Sequence, residues 1–188
     1  MKRLKAPLAG ALLLAFVVAA CGGGGGGGPT QPPPPPPPQP GITFTAAGTA
    51  PANSVALGSG AGGTATTLAL EVRATQVTNL YGVSFDLQYP ATVLRYDGAT
   101  EGTLLNANGT VQTSLQVVES PAGTLVVGFT RLGTAGGVSG SGTLLTLRFS
   151  ARAAGTGPFT FVAPAGVDPS GQALAGLTFV AGSAEVRQ

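Results

Sequence analysis

Histidine and tryptophan are absent from this 188-residue chain, and its only cysteine is Cys21. Without histidine or further cysteines, a metal site of the His/Cys type has no ligands. A serine nucleophile likewise has no conventional base, because the only lysines are Lys2 and Lys5 at the very start. One cysteine makes no intrachain disulfide, so stability must come from a packed core. Charge is scarce too, at 9% of residues. Lys2, Arg3 and Lys5 supply most of the apparent basicity; residues 41–188 hold six arginines against seven carboxylates, a net charge of −1. No basic patch remains to neutralise phosphates, which excludes nucleic acid as a partner. The surface must be built from Thr, Ser, Gln, Asn and Gly. The glycine-rich stretch 136–142 lacks the Gly-Lys-Ser/Thr of a phosphate loop and reads as a flexible inter-strand loop. Asp97 and Glu101 are the nearest approach to a glycosidase carboxylate pair, which needs a separation of about 5 to 9.5 Å. Their Asp97-Gly98 setting reads as a turn, better suited to solvation or a weak calcium contact than to catalysis. The domain is expected to be non-enzymatic, with no cofactor and no metal site.

What is present begins with order. Lys2, Arg3 and Lys5 precede an apolar run from Ala6 to Ala20 that ends at Val18-Ala19-Ala20-Cys21. Residues 1–20 read as a secretory signal peptide, too short and too rich in small residues for a membrane span of about 20 residues. The last four residues resemble the lipobox read by lipoprotein signal peptidase. That resemblance implies that Cys21 becomes a lipidated N-terminus carrying several acyl chains, each buried methylene contributing about 0.8 kcal/mol. Gly22 stands where an aspartate would favour retention at the inner membrane in the lipoproteins this resembles, so outer-membrane or surface placement is expected.

Residues 21–40 are a tether: seven glycines from Gly22 to Gly28, then Pro29-Thr30-Gln31 and seven prolines from Pro32 to Pro38. A glycine coil followed by a polyproline II rod of about 3.1 Å per residue carries the fold roughly 40 to 50 Å from the lipid. A proline-rich ligand for an SH3-like or WW-like domain is the rival reading, and it suits a segment outside the cell poorly.

Residues 41–188 form one domain by length, and their pattern is all-β. Leu68, Leu70 and Val72 alternate with Thr67, Glu71 and Arg73; Val83, Phe85, Leu87 and Tyr89 alternate with Ser84, Asp86 and Gln88. Strand-like runs cover 66–73, 81–89, 93–96, 111–118, 124–131, 143–152, 158–162 and 177–187, punctuated by Gly, Pro, Asn and Asp clusters. In the last run the inward phase moves from Phe179 to Ala184, which predicts a bulge near Gly182-Ser183. Short, regularly punctuated strands point to a two-sheet sandwich.

The stretch from Asn79 to Leu94 resembles the early strands of a cohesin domain. The run Gly123 to Gly133 followed by Gly137 to Phe149 is similar to the cohesin segment that crosses from one sheet to the other. The similarity extends in order and spacing from about Ser54 to Val186. It implies a nine-stranded jelly-roll β-sandwich related to some carbohydrate-binding modules, and it implies docking of dockerin modules of polysaccharide-degrading enzymes. The family usually carries Asn and Asp where Gly82 and Ser84 stand here, so its hydrogen-bonding anchors are weakened.

If a protein partner docks on the corresponding sheet, the outward row predicted for it is Ser84, Asp86 and Gln88; Gln112, Ser114 and Gln116; Val126, Gly128 and Thr130; and Thr146, Arg148 and Ser150. The same alternation also describes an ordinary solvated sheet face. Direct carbohydrate binding is the alternative. It is disfavoured because Tyr81, Phe85, Tyr89, Phe129, Phe149 and Phe179 all share the inward phase, which leaves no aromatic platform for a sugar ring. A structural or adhesion unit at the cell surface is the third reading.

Overall fold

Inward alternation governs the architecture of residues 40–188, the part of the chain described by the structure, a computed structural model. The expected signal peptide, Cys21 and nearly all of the expected tether lie outside the described residues. Eleven strands and one short helix follow in chain order: β1 (Gly41–Ala46), β2 (Ser54–Ser59), β3 (Thr67–Leu80), β4 (Gly82–Gln88), β5 (Leu94–Glu101), α1 (Thr103–Asn106), β6 (Thr113–Glu119), β7 (Thr124–Arg131), β8 (Val138–Ala151), β9 (Gly155–Val167), β10 (Thr178–Val180) and β11 (Gly182–Arg187). One sheet has the order β1-β11-β9-β4-β7-β6, the other β10-β2-β3-β8-β5. The chain repeatedly crosses between the two layers, and their inward faces make a single core. Leu70 and Leu147 of one sheet and Leu87, Leu125 and Phe129 of the other are all at most 1% exposed. Phe149 sits among Tyr89, Tyr96 and Phe159 with ring centroids 5.1 to 5.8 Å apart. Phe85, Phe161 and Phe179 form a second aromatic group. Tyr81 departs from its expected inward place: it is half-buried just before β4, and its hydroxyl donates to the Gly133 carbonyl at 3.1 Å.

Every strand-like run contains or overlaps a strand, and three differences have physical causes. Residues 177–187 are not one bulged strand. β10 runs parallel to β2 in one sheet, while β11 pairs with β1 and β9 in the other, so the phase change is a change of sheet. Gly182 permits the switch, because a Cβ there would overlap the Phe44 ring and the Thr45 carbonyl. Asp97-Gly98 is no turn either; it lies inside β5, where the register with β8 shifts between Tyr96 and Gly98.

The stretch 136–142 is not a flexible loop, since from Val138 onward it belongs to β8. Its partner β3 is irregular there, with Gln76 and Asn79 in the left-handed region. Their backbone N–H groups, turned away from the ladder, donate to the Ser141 and Ser139 hydroxyls at 2.8 and 3.0 Å. Serine is therefore needed at both positions to restore lost backbone pairing. Replacing either by alanine is expected to cost about 0.5 to 1.5 kcal/mol. The loss should appear in urea titration as a lower midpoint with an unchanged slope.

Candidate functional site

The outward face of the six-stranded sheet is read directly from its register. Val167, Gly82, Thr130 and Ser114 form one row across β9, β4, β7 and β6. Ala165, Ser84, Gly128 and Gln116 form the next, and Val162, Asp86, Val126 and Val118 the one after. Thr160, Gln88 and Thr124 continue the face. Six of the predicted site residues thus come together here: Ser84, Asp86, Gln88, Ser114, Gln116 and Thr130, with Val126 and Gly128 among them. Gln112 lies one residue outside β6, where its carbonyl accepts from the Leu132 N–H at 2.9 Å.

Arg148 does not belong to this face, and neither do Thr146 and Ser150. All three are on β8 in the five-stranded sheet, opposite Ala69, Glu71 and Thr67 of β3. The chain changes layer between Arg131 and Val138, so the outward phase of β8 looks away on the far side of the sandwich.

The two faces differ in character. The five-stranded sheet carries the Arg73–Glu71 and Arg95–Asp97 ion pairs at 2.8 and 2.9 Å and the exposed Arg148. Exposed pairs of this kind contribute at most about 1 kcal/mol each. On the six-stranded sheet, Asp86 is the only ionisable residue in the three rows. Among the described residues the exposed large apolar side chains are Val118, Val126, Leu132 and Val162, at 38 to 55% exposure. Three of those four flank Asp86 in a single row. Beside this ridge the small residues Gly82, Ser84, Gly128 and Ala165 leave a hollow of about 300 Å³, with Phe129 and Val83 in its floor and Ser114, Gln116 and Thr130 at its side.

Val162 and Ala165 were not legible from alternation. They are three residues apart yet share a face, because β9 bulges between them and Ala163 takes a positive φ. Pro164, two residues beyond the strand-like run 158–162 and inside β9, is the one signal that marks such a bulge.

At one end of the face, Tyr89 is 7% exposed, and its hydroxyl donates to the Glu119 carboxylate. The same carboxylate oxygen accepts from the Gly123 N–H at 3.3 Å. Burial, reinforced by the Glu119 hydrogen bond and charge, pushes the Tyr89 hydroxyl from 10.0 up to about 12. Tyr96 is raised for the same first reason, burial, with Glu119 adding to it. Since the folded value exceeds the unfolded one, this stabilisation is complete below pH 10 and is lost as pH rises towards about 12. Thermal midpoints should therefore fall across that window, and less steeply in Tyr89→Phe.

The remaining carboxylates are engaged by neighbouring side chains and backbone. Asp97 and Glu101 lie on β5, not in a turn; Asp97 accepts from Arg95 and Ser150, and Glu101 accepts from Thr113 at 2.7 Å. The Ser170 hydroxyl and the backbone N–H groups of Gln172 and Ser170 hold Asp168 below the usual carboxylate range, as in a stapled turn. Among the described residues no group of three or more His, Cys, Asp or Glu is placed to hold a metal ion.

Residues 53–186 match the cohesin domain family. The chain belongs to that family. Solved structures agree on the fold of this cohesin domain. The type II cohesin A11 from Bacteroides cellulosolvens is similar at 15% identity and TM-score 0.59, covering 72% of this chain and 99% of that one. The sixth cohesin of scaffoldin B from Acetivibrio cellulolyticus, solved in complex with a Cel5 dockerin mutant, is similar at 17% identity and TM-score 0.54, covering 69% and 97%. A chain of the crystallised complex between a variant of CaDoc0917 and CaCohA2 reaches 21% identity and TM-score 0.58, covering 71% and 99%. Among curated proteins none matches.

Proposed function

We propose that this cohesin domain is a non-catalytic docking module. It binds a dockerin-type protein partner on the outward face of its six-stranded sheet and is held at the cell envelope by lipid on Cys21. The observation that carries the reading is the row Val162, Asp86, Val126 and Val118 beside the hollow at Gly128. An apolar ridge exposed next to a concavity is what interaction surfaces show, and what solvated sheet faces avoid. Membership of the cohesin family and the likeness to a cohesin solved with a dockerin support the choice of partner. Carbohydrate binding fits less well, because none of the exposed large apolar residues among those described is aromatic. The basic start, the apolar run and the Val18-Ala19-Ala20-Cys21 sequence support the anchor, with residues 22–40 as its tether.

The test presents the purified full chain to a panel of dockerin modules, the Cel5 dockerin among them, and in parallel to insoluble polysaccharides. Saturable binding of at least one dockerin is expected. Retention on a polysaccharide with no dockerin bound overturns the reading. For the anchor, labelled palmitate should enter the wild-type chain in a bacterial host and be lost in Cys21→Ser; equal labelling of both overturns it.

A further inference from the structure

The six-stranded sheet ends at β6, and among the described residues nothing pairs with its second edge. Register shows which backbone groups are left there. The Gln112 carbonyl accepts from the Leu132 N–H and the Ser120 N–H donates to the Thr124 carbonyl, both at 2.9 Å. Hydrogen-bonded pairs alternate along an antiparallel ladder, so Ser114, Gln116 and Val118 also turn their backbone groups to β7. Thr113, Leu115, Val117 and Glu119 turn theirs to the open edge. Leu115 and Val117, both half-buried, line a groove of about 260 Å³ between the sheets with Tyr96 and Ala99 of β5. The core is thus open along the same edge that offers unpaired backbone.

Exposed strand edges are ordinarily guarded by charge, proline, a bulge or brevity. The other edges follow that rule. β10 has 3 residues, β1 follows directly on Pro40, and β5 carries Arg95, Asp97 and Glu101 with a register shift before Gly98. β6 has none of these devices. Its pairing with β7 runs without a shift over all its residues, and its one charge is Glu119 at the end. That carboxylate is already held by the Tyr89 hydroxyl and the Gly123 N–H of its own chain.

An occupant of this edge must bring matching backbone groups and, at alternate positions, aliphatic side chains for the groove. β6 itself has both. With two copies antiparallel about a two-fold axis at Gln116, Leu115 lies opposite Val117 of the second copy and Thr113 lies opposite Glu119. This is the register in which every residue from 113 to 119 meets a residue of the same segment. It makes hydrogen-bonded pairs of the residues whose backbone groups point outward, and it sets Leu115 and Val117 of both copies beside the two grooves. The Glu119 carboxylates stay about 20 Å apart, beyond a screening length of about 8 Å.

We propose that the domain self-associates by pairing β6 with β6 of a second copy, which closes both grooves and joins the two six-stranded sheets edge to edge. The two-fold axis is normal to the sheet, so both outward faces look the same way.

Sedimentation equilibrium of the full chain carrying Cys21→Ser, which leaves no native thiol, is expected to show a monomer–dimer equilibrium. Val117→Pro removes a backbone donor that β7 does not use and keeps an apolar side chain, so the edge tolerates it. Its urea midpoint checks that it folds. The dimer loses two hydrogen bonds by symmetry, and self-association should weaken about 10-fold or more. Register is read from introduced thiols under mild oxidation by glutathione disulfide. Gln116→Cys meets its own copy at a Cα separation of about 4.5 Å, within disulfide range, and should form covalent dimers. Ser114→Cys and Val118→Cys should each crosslink poorly alone and readily when mixed. A chain that stays monomeric up to about 1 mM overturns the inference and leaves the edge to an extended segment of a different protein. A dimer unchanged by a folded Val117→Pro, or thiols at 114, 116 and 118 that crosslink equally, overturns it as well. If Val117→Pro does not fold, the thiol pattern decides alone.

Discussion

Phe149→Ala is expected to lower the stability of the domain by about 3 to 5 kcal/mol. Phe149 lies on β8 with none of its surface exposed, and it is the ring on which Tyr89 and Phe159 of the opposite sheet meet Tyr96 of its own. Truncation removes the transfer free energy of the ring and leaves a cavity that four rigid strands cannot close. Net stabilities of single domains are only about 5 to 15 kcal/mol, so one substitution removes a large share. At about 2 to 4 °C per kcal/mol for a domain of this size, the melting temperature should drop by roughly 6 to 20 °C. Phe161→Ala, at a half-buried ring, should lose less. A loss below about 1 kcal/mol for Phe149→Ala would mean that the sheets do not share the core described.

Gly128→Leu is expected to separate docking from folding. A Cβ on Gly128 meets nothing within 4 Å and its backbone is ordinary strand, so a side chain enters the hollow without strain. Glycine inside a strand packs no side chain, and its replacement should leave stability unchanged or raise it by up to about 1 kcal/mol. Binding of any dockerin that uses this face should nevertheless fall by about 100-fold or more, because the hollow is filled. Gly82 offers no such clean experiment, since a Cβ there would lie 2.9 Å from the Thr130 Oγ1. Retained affinity in a folded Gly128→Leu chain would move the contact away from the hollow.

Alternation alone makes much of this molecule legible. Val83, Phe85 and Leu87 are inward as their spacing requires, and the bounds of β7 coincide with the run 124–131. β1 and β2 are too short and glycine-bounded to stand out, although Ile42, Phe44, Val55 and Leu57 carry their inward phase. Alternation assigns a side chain to inside or outside, yet it does not say which sheet a strand joins; for that reason Arg148 looked like a neighbour of Ser84 while facing the opposite way. Irregular backbone hid the rest. The positive φ of Ala163 brings Val162 and Ala165 onto one face, and the serine hydroxyls of Ser139 and Ser141 turn an apparent glycine loop into strand. The hollow itself is made of missing side chains at Gly82 and Gly128, which carry no hydrophobic signal to read.

The most direct measurement is an NMR titration of the isotopically labelled full chain with a dockerin that binds it. The expected result is that amide shifts concentrate at residues 84–88 on β4, 114–118 on β6, 124–130 on β7 and 160–167 on β9, while residues 67–73, 95–101 and 143–150 of the five-stranded sheet stay in place. Shifts concentrated around Arg73, Arg95 and Arg148 instead would contradict docking on the six-stranded face.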